Sequence, residues 1–279
     1  MATLPAETRM GPVELTVADL ERSLEYYRTA IGLGVRERDD GQAVLGGDSD
    51  LLVLYELPGA KPARRNTGLF HFALLVPERR ELAQWLAHAI RDRVPLTGVS
   101  DHFVSEALYL QDPDAHGIEI YADRPRELWE GQVERLTTEP LDVEDLLGVL
   151  EDPRAEPFEA LPGGTAMGHV HLQVAEIPET VRFYRDVLGF DLMATYGSQA
   201  AFLAAGGYHH HVGANTWNSA GAAPAPEGSA SLRRATIVLP DAASRDEALA
   251  RVEASAQVPE QAPEGPVVRD PSGNRLLLA

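Results

Sequence analysis

The sequence has no cysteine, a single lysine and few aromatic residues. The absence of cysteine from all 279 positions excludes disulfides, thiolate metal sites and a cysteine nucleophile. Lysine occurs only at Lys61, and acidic residues outnumber basic ones by 43 to 24, which gives a formal net charge of −19. Because nucleic acids are bound through clustered Lys and Arg, we expect no nucleic-acid partner.

Long apolar runs are also missing. No stretch approaches the roughly 20 apolar residues that cross a bilayer, and the first ten residues, MATLPAETRM, lack the apolar segment of a signal peptide. We therefore expect no membrane association and, by default, a cytoplasmic location. The composition, 44% apolar and 24% charged, is that of an ordinary globular protein, and the length suffices for two domains.

The second half of the chain repeats the first. Alternation over Gly11 to Asp19, followed by helical spacing over Leu20 to Ile31, recurs from Met167 at a constant offset of 157 residues. Six identities lie in register: Leu15/Leu172, Val17/Val174, Ala18/Ala175, Tyr27/Tyr184, Arg28/Arg185 and Gly32/Gly189. The segment DPDAHGIEI, which begins at Asp112, recurs as DPSGNRLLL from Asp270. This pattern indicates an internal duplication.

Each half divides again into two modules, in which a strand, a helix and further strands follow one another. The second module begins at residues 69–76, has a helix over 78–91 and ends in strands over 104–121, and the fourth begins at residue 232. We predict an α+β fold of four β-α-β-β-β modules. The predicted domains are an N-terminal pair of modules (1–124), an acidic, Pro-rich connector with a short helix near 143–150 (125–165) and a C-terminal pair (166–279).

The duplication shows where the two copies differ in polar residues, so that one copy has a potential ligand and its counterpart does not. Three such differences fall at equivalent first-strand and last-strand positions: His71 against Arg234, Glu119 against Leu277, and His169 against Pro12. Two neutral imidazoles and one carboxylate are the ligand set of non-haem Fe(II) oxygenases, which leaves positions open for substrate and O2. A metal ion would also offset the cost of burying an unpaired carboxylate.

Each candidate ligand has a plainer interpretation. A histidine in an apolar strand is most often a hydrogen-bonded core residue, and the acidic residue in Ile-Glu-Ile fits a half-exposed strand equally well. His171 shares a strand face with His169 and is the alternative ligand.

The remaining histidines include a run of three, at positions 209–211. If this run lies in a strand, His210 faces away from its two neighbours. A histidine beside an open metal position suits proton transfer near neutral pH. We interpret His88 and His116 as surface residues of a helix and a turn.

The four modules together with GHVHLQV, SEALYLQDPDAHGIEIY and GGYHHHVGANTW resemble the vicinal oxygen chelate superfamily. More narrowly, they resemble its catechol 2,3-dioxygenase branch, the type I extradiol dioxygenases. The resemblance covers nearly the whole chain. It implies two open, cup-shaped barrels, and ring cleavage of a small aromatic diol by Fe(II), or alternatively Mn(II), with O2. The alternatives are a glyoxalase-like isomerase, a thiol transferase, or a metal-free protein that binds a small molecule.

The resemblance also implies roles for individual residues. It places the iron ligands of the family on His169, His71 and Glu119. It places the active-site tyrosine at Tyr109, and it implies a homo-oligomer.

Three further histidines are matched to the family less directly. The catalytic histidine of the family corresponds to His210, with His209 beside it. Another family histidine, upstream of the tyrosine, has His102 as an approximate and slightly displaced counterpart.

One departure concerns the modules that carry the site. Better-known relatives build it from the third and fourth modules, whereas here the fourth module has lost both ligands and the second holds them. The second and third modules must therefore share a barrel and leave the first and fourth paired, either within one chain or by exchange between chains.

Overall fold

The structure is a computed structural model, and it describes residues 3–279. The first module consists of β1 (Arg9–Val17), β2 (Gly34–Asp39), β3 (Gln42–Gly46) and β4 (Asp50–Glu56), followed by the short β5 (Lys61–Pro62). The second consists of β6 (Gly68–Leu75), β7 (Gly98–Asp101), β8 (Ser105–Gln111) and β9 (Gly117–Asp123). The third consists of β10 (Ala166–Gln173), β11 (Asp191–Tyr196), β12 (Ala200–Ala204) and β13 (Val212–Asn215), followed by β14 (Ser229–Ala230). The fourth consists of β15 (Leu232–Val238), β16 (Glu260–Ala262), β17 (Gly265–Arg269) and β18 (Arg275–Leu278).

Each module has its helix between its first and second strands. The α-helices are α1 (Leu20–Tyr26), α2 (Arg79–Asp92), α3 (Val143–Leu147), α4 (Ile177–Val181) and α5 (Ala242–Ala254), of which α3 belongs to the connector. Two π-helical turns extend α1 and α4 (Tyr27–Ile31 and Arg182–Leu188), and two 3-10 turns lie in the connector (Arg126–Leu128 and Val133–Arg135). In the part of the chain from residue 3 onward, none of the helices combines the length and apolar character needed to cross a membrane.

Two eight-stranded mixed sheets run across the sequence halves. The first and fourth modules form one sheet, in the order β16-β17-β18-β15-β1-β4-β3-β2, and the third and second form the other, in the order β11-β12-β13-β10-β6-β9-β8-β7. Each sheet curls into a half-barrel, so the predicted fold of four modules in two cups is confirmed. The pairing of the central modules occurs within one chain. The domain boundaries at 124/125 and 165/166 stay a prediction. Each sheet combines strands that precede the first boundary with strands that follow the second.

The duplicated tyrosines and aspartates link the two modules of each sequence half. The Tyr27 hydroxyl of the first module donates to Asp112 of the second at 2.9 Å, and the Tyr184 hydroxyl of the third donates to Asp270 of the fourth at 3.3 Å. All four side chains are buried. The identities found in the sequence therefore mark a contact between modules as well as core positions.

Two histidines that were interpreted as surface residues are buried. His88 on α2 is 3% exposed, because Phe158 of the connector stacks on its ring at 4.2 Å and covers that side of the helix. His116 is 5% exposed, and its Nδ1 lies 2.9 Å from Asp112 in the turn between β8 and β9. The surface interpretation was wrong for both: a distant segment covers His88, and His116 is held inside its turn by Asp112.

Candidate metal centre and active site

His71, Glu119 and His169 meet on the concave face of the sheet formed by the second and third modules. Their ligand atoms all lie within 4.8 Å of one another, and all three side chains are buried. The Oε2 atom of Glu119 is 2.9 Å from Nε2 of His71 and 3.2 Å from Nε2 of His169. The three candidates that the repeat comparison singled out are thus brought together.

Strand register explains why these side chains converge. Ala73 on β6 is the neighbour of both His169 on β10 and Glu119 on β9, and Tyr109 on β8 pairs with Glu119. These four residues form one row across the sheet. The alanine between the two ligands leaves room above it, because its side chain is a single methyl group.

A glycine, which has no side chain, likewise leaves room for the imidazole of His71. Gly117, two residues before Glu119 on β9, lies beside the first ligand, and a Cβ there would approach Cβ of His71 to 3.1 Å and overlap the Phe70 carbonyl. A side chain at this position would displace either the strand or the imidazole.

The charge balance of the triad suits a cation. Burial lowers the pKa of His169 to about 4, so this imidazole is neutral near pH 7. Burial acts to raise the pKa of Glu119, but His169 and His71 hold that pKa well below its usual range, so the carboxylate is charged. Among the described residues its ion-pair partners are these two histidines alone, and no Lys or Arg neutralises it.

Hydrogen bonding leaves the His71 nitrogen available. Its Nε2 is close to the Glu119 oxygen but makes no aligned hydrogen bond with any group in residues 3–279. Two such atoms, close together but not directed at each other, have the arrangement expected of two ligands of one metal ion. The donor set of two imidazole nitrogens and one carboxylate oxygen fits a divalent transition metal.

In the other sheet, the positions equivalent to His71 and His171 hold an ion pair. Arg234 on β15 pairs with Glu14 on β1, at the register where His71 faces His171 in the metal-site sheet. The Arg234 guanidinium donates to the Glu14 carboxylate and also lies 3.0 Å from Glu264. Buried charge is thus compensated by a protein cation in one cup, whereas in the other cup the Glu119 carboxylate has, among residues 3–279, only histidines as ion-pair partners.

A cavity of about 330 Å³ opens beside the triad, a volume typical of small-molecule sites. His71 and Glu119 reach its wall. Much of the remaining wall is apolar, formed by Phe70, Val104, Leu110, Ile118, Leu136, Phe202 and Trp217. No Lys or Arg occurs among the lining residues within the described chain.

Tyr109 and His102 form a hydrogen-bonded pair on this wall. The Nε2 atom of His102 lies 2.6 Å from the Tyr109 hydroxyl, and its Nδ1 lies 2.6 Å from the Thr137 carbonyl. A carbonyl only accepts, so Nδ1 carries the proton and Nε2 accepts from the tyrosine. The Tyr109 oxygen then keeps its lone pairs for another donor, and burial raises the pKa of this hydroxyl.

The three consecutive histidines lie in the loop between β12 and β13. His209 places Nε2 at 2.9 Å from Asp123 and Nδ1 at 2.7 Å from Nδ1 of His210, whose ring lines the cavity. Nδ1 of His211 accepts from the Ala205 backbone N–H at 3.2 Å. The run does not lie in a strand, so the alternation that was expected for His209 and His210 does not apply to it.

His171, the alternative ligand, is one row away from His169 and Glu119 and lies in the row of His71. It pairs with His71 across β10 and β6, but its ring packs among those of Phe70, Phe202 and Trp217. Its Nε2 atom has no hydrogen-bond partner within residues 3–279 and borders the cavity. His169 is the one that lies next to Glu119.

The connector contributes residues that sequence reasoning missed. Leu136 and Thr138 line the cavity, and the Thr137 carbonyl orients His102. The bridge between Asp101 and Glu139 fastens this segment to β7. Its Pro-rich, acidic composition gave no signal of this, because the segment becomes part of the site only through its position against the sheet.

Comparison with known proteins places this geometry in a family. The family model of the glyoxalase/bleomycin resistance protein/dioxygenase superfamily matches residues 9–120 and 166–278. The chain belongs to this superfamily. It is 43% identical over 279 residues to the catechol-2,3-dioxygenase of Bacillus subtilis (strain 168), covering 97% of this chain and 96% of that protein.

Solved structures share the fold of this superfamily member. One is a Bacillus subtilis protein of proposed dioxygenase function, with a TM-score of 0.68 and 13% identity, covering 100% of this chain and 86% of that one. Another is glyoxalase I from Zea mays, with a TM-score of 0.60 and 18% identity, covering 98% of this chain and 92% of that one. At such identities the similarity concerns the fold alone.

Proposed function

We propose that this protein is an extradiol dioxygenase that opens the ring of catechol or a substituted catechol with Fe(II) and O2. The observation that carries the proposal is the convergence of His71, Glu119 and His169 beside a mostly apolar cavity. The catechol-2,3-dioxygenase relative, which aligns over nearly the full length of both chains, supports the same activity.

His71, Glu119 and His169 would hold the metal, and Mn(II) is the alternative ion for this donor set. When bound, the metal supplies open coordination positions and the one-electron chemistry that allows O2 to react with an organic diol. The apolar wall excludes water from the reacting atoms, and its aromatic side chains provide flat contacts for a ring.

The polar residues of the cavity would orient and deprotonate the diol. Tyr109, whose hydroxyl proton is held by His102, presents its oxygen to a catechol hydroxyl. His210 has one nitrogen engaged by His209, and Nε2 is left to accept a proton from the second hydroxyl. The cytoplasmic location and the oligomeric state stay predictions.

Metal analysis and ring cleavage test the proposal together. Protein purified without oxygen and loaded with Fe(II) should contain about one iron per chain and should form a yellow, ring-opened product from catechol and O2. His71→Ala, Glu119→Ala and His169→Ala should each lose most of the metal and the activity. His171→Ala is the matched control, since it removes the same side chain from the same strand face, and it should retain the metal.

Two outcomes would contradict the assignment. Full metal content in all three triad variants would show that the metal binds elsewhere. Iron binding without ring opening would point instead to the isomerase or transferase chemistry of the superfamily.

A further inference from the structure

Three side chains form a continuous hydrogen-bonded chain from the rim of the sheet to the cavity. Asp123 Oδ1 lies 2.9 Å from Nε2 of His209, and Nδ1 of His209 lies 2.7 Å from Nδ1 of His210. The Asp123 side chain is 25% exposed, His209 is completely buried, and His210 borders the cavity. Asp123 is not among the candidate residues that the repeats or the family resemblance indicate.

The carboxylate determines the direction of every hydrogen bond in this chain. An ionised carboxylate only accepts, so His209 must donate from Nε2. A neutral His209 then has its lone pair on Nδ1, and the facing Nδ1 of His210 must donate to it. Nε2 of His210 is therefore the unprotonated nitrogen, and no other group in the described chain hydrogen-bonds it.

The surroundings keep this arrangement in place. The ring of His209 packs against those of Tyr208 and Trp129, with centroids at 4.0 Å and 5.7 Å. Asp123 ends β9, and it lies on the same face of that strand as Glu119. A single rigid strand thus carries a triad residue and the carboxylate at the end of the histidine chain.

We propose that Asp123 is a positioning residue, which acts through His209 to hold His210 in the tautomer that presents an unprotonated Nε2 to the substrate. The inference rests on the proposed function, in which His210 accepts a proton from the diol. Without the carboxylate, His209 is free to reverse its donor and acceptor nitrogens, and His210 would then point an N–H at the cavity. Such a tautomer reversal leaves the geometry intact and removes the base.

A double-mutant cycle between Asp123→Asn and His210→Ala tests this role. Asparagine has the same shape but can present either an oxygen or an N–H to His209. We expect Asp123→Asn to lower kcat on the order of 10-fold or more, with iron content, Tm and KM close to those of the wild type. In the His210→Ala background, the same substitution should change kcat by less than about 2-fold.

Asp92→Asn is the matched control. Asp92 also lies 2.9 Å from a nitrogen of a buried histidine, His88, but that pair is on α2, outside the cavity. This variant should leave kcat unchanged. A purely structural role for Asp123 predicts instead that Asp123→Asn reduces kcat by the same factor in both backgrounds, and this result would overturn the inference.

An unchanged kcat in Asp123→Asn would overturn it as well. Both results differ from failure of the proposed function, because in that case the wild-type protein itself would not cleave the ring of catechol.

Discussion

At the scale of single residues, equivalent positions in the two cups hold different side chains. Arg234 occupies in one cup the place that His71 occupies in the other, and Glu14 occupies the place of His171. Glu14 is 6% exposed and Arg234 is 8% exposed, so neither charge is well solvated. The cup of the first and fourth modules holds this side-chain pair, and within residues 3–279 it has no group of metal-ligating side chains like the triad.

Breaking this pair should destabilise the protein without affecting the metal centre. Arg234→Met leaves Glu14 buried without its cation, and the expected cost is about 3 kcal/mol in the free energy of unfolding. The double variant Glu14→Leu/Arg234→Met should recover most of that loss, because neither charge is then buried. Chemical denaturation measures both effects, and metal content should stay at the wild-type value. A cost below about 1 kcal/mol in the single variant would show that the pair is effectively solvated.

At the scale of elements, the helical segments of the first and third modules are each fixed to a turn of the next module by a tyrosine and an aspartate. The two copies differ electrostatically. Burial acts to raise the pKa of Asp112, but His116 and the hydrogen bonds around it lower that pKa, so the Tyr27 hydroxyl meets a charged acceptor. Burial raises the pKa of Asp270, which has Asn274 in place of the histidine, and the hydrogen bond to it is the longer one.

Tyr27→Phe should therefore cost more stability than the matched Tyr184→Phe. A hydrogen bond to a charged group contributes about 1.5–3 kcal/mol, and the bond from Tyr27 is the shorter of the two, at 2.9 Å against 3.3 Å. The folded state holds the Asp112 proton less tightly than the unfolded state. The stability from this group is thus present above pH 3.8 and is lost as the pH falls through the lower pKa of the folded protein. We expect the difference in the free energy of unfolding between Tyr27→Phe and wild type to be smaller near pH 3 than at pH 7, and denaturation at both pH values measures it. Equal costs for the two variants at pH 7 would refute this account.

At the scale of the whole molecule, we expect the charge distribution to favour uncharged diols. The chain carries a net charge of −19, and no Lys or Arg lines the cavity in the part of the chain that the structure describes. An anionic substituent would approach a negative protein and would then be buried without a cation. The cavity therefore suits uncharged rings.

Steady-state kinetics should show this preference directly. We expect kcat/KM for 3,4-dihydroxybenzoate to be at least about 100-fold below that for catechol, because an unpaired carboxylate is costly to bury. 4-Methylcatechol, which bears an uncharged substituent at the same ring position, is the control and should react comparably to catechol. Similar kcat/KM values for the carboxylate and the methyl compound would mean that a cation reaches the cavity.

Much of this protein is determined by short-range sequence pattern. Strand alternation, helical spacing and the constant offset of the repeat depend on neighbours within one module, so four modules could be predicted. The helix over 78–91 differs from α2 by one residue at each end. The three triad residues were found because His71, Glu119 and His169 differ from their repeat counterparts while the surrounding pattern persists.

Only the tertiary structure decided the register in which these pieces meet, and that the second and third modules pair within one chain. The antiparallel pairing of β6 with β10 joins segments from different sequence halves, and local pattern does not encode such register. The direction of His209 and His210 depends on a loop, and the role inferred for Asp123 depends on that loop lying against the end of β9. Residue type and periodicity are properties of a segment, whereas a cavity, a hydrogen-bonded chain and a shared ligand set are properties of segments brought together by packing.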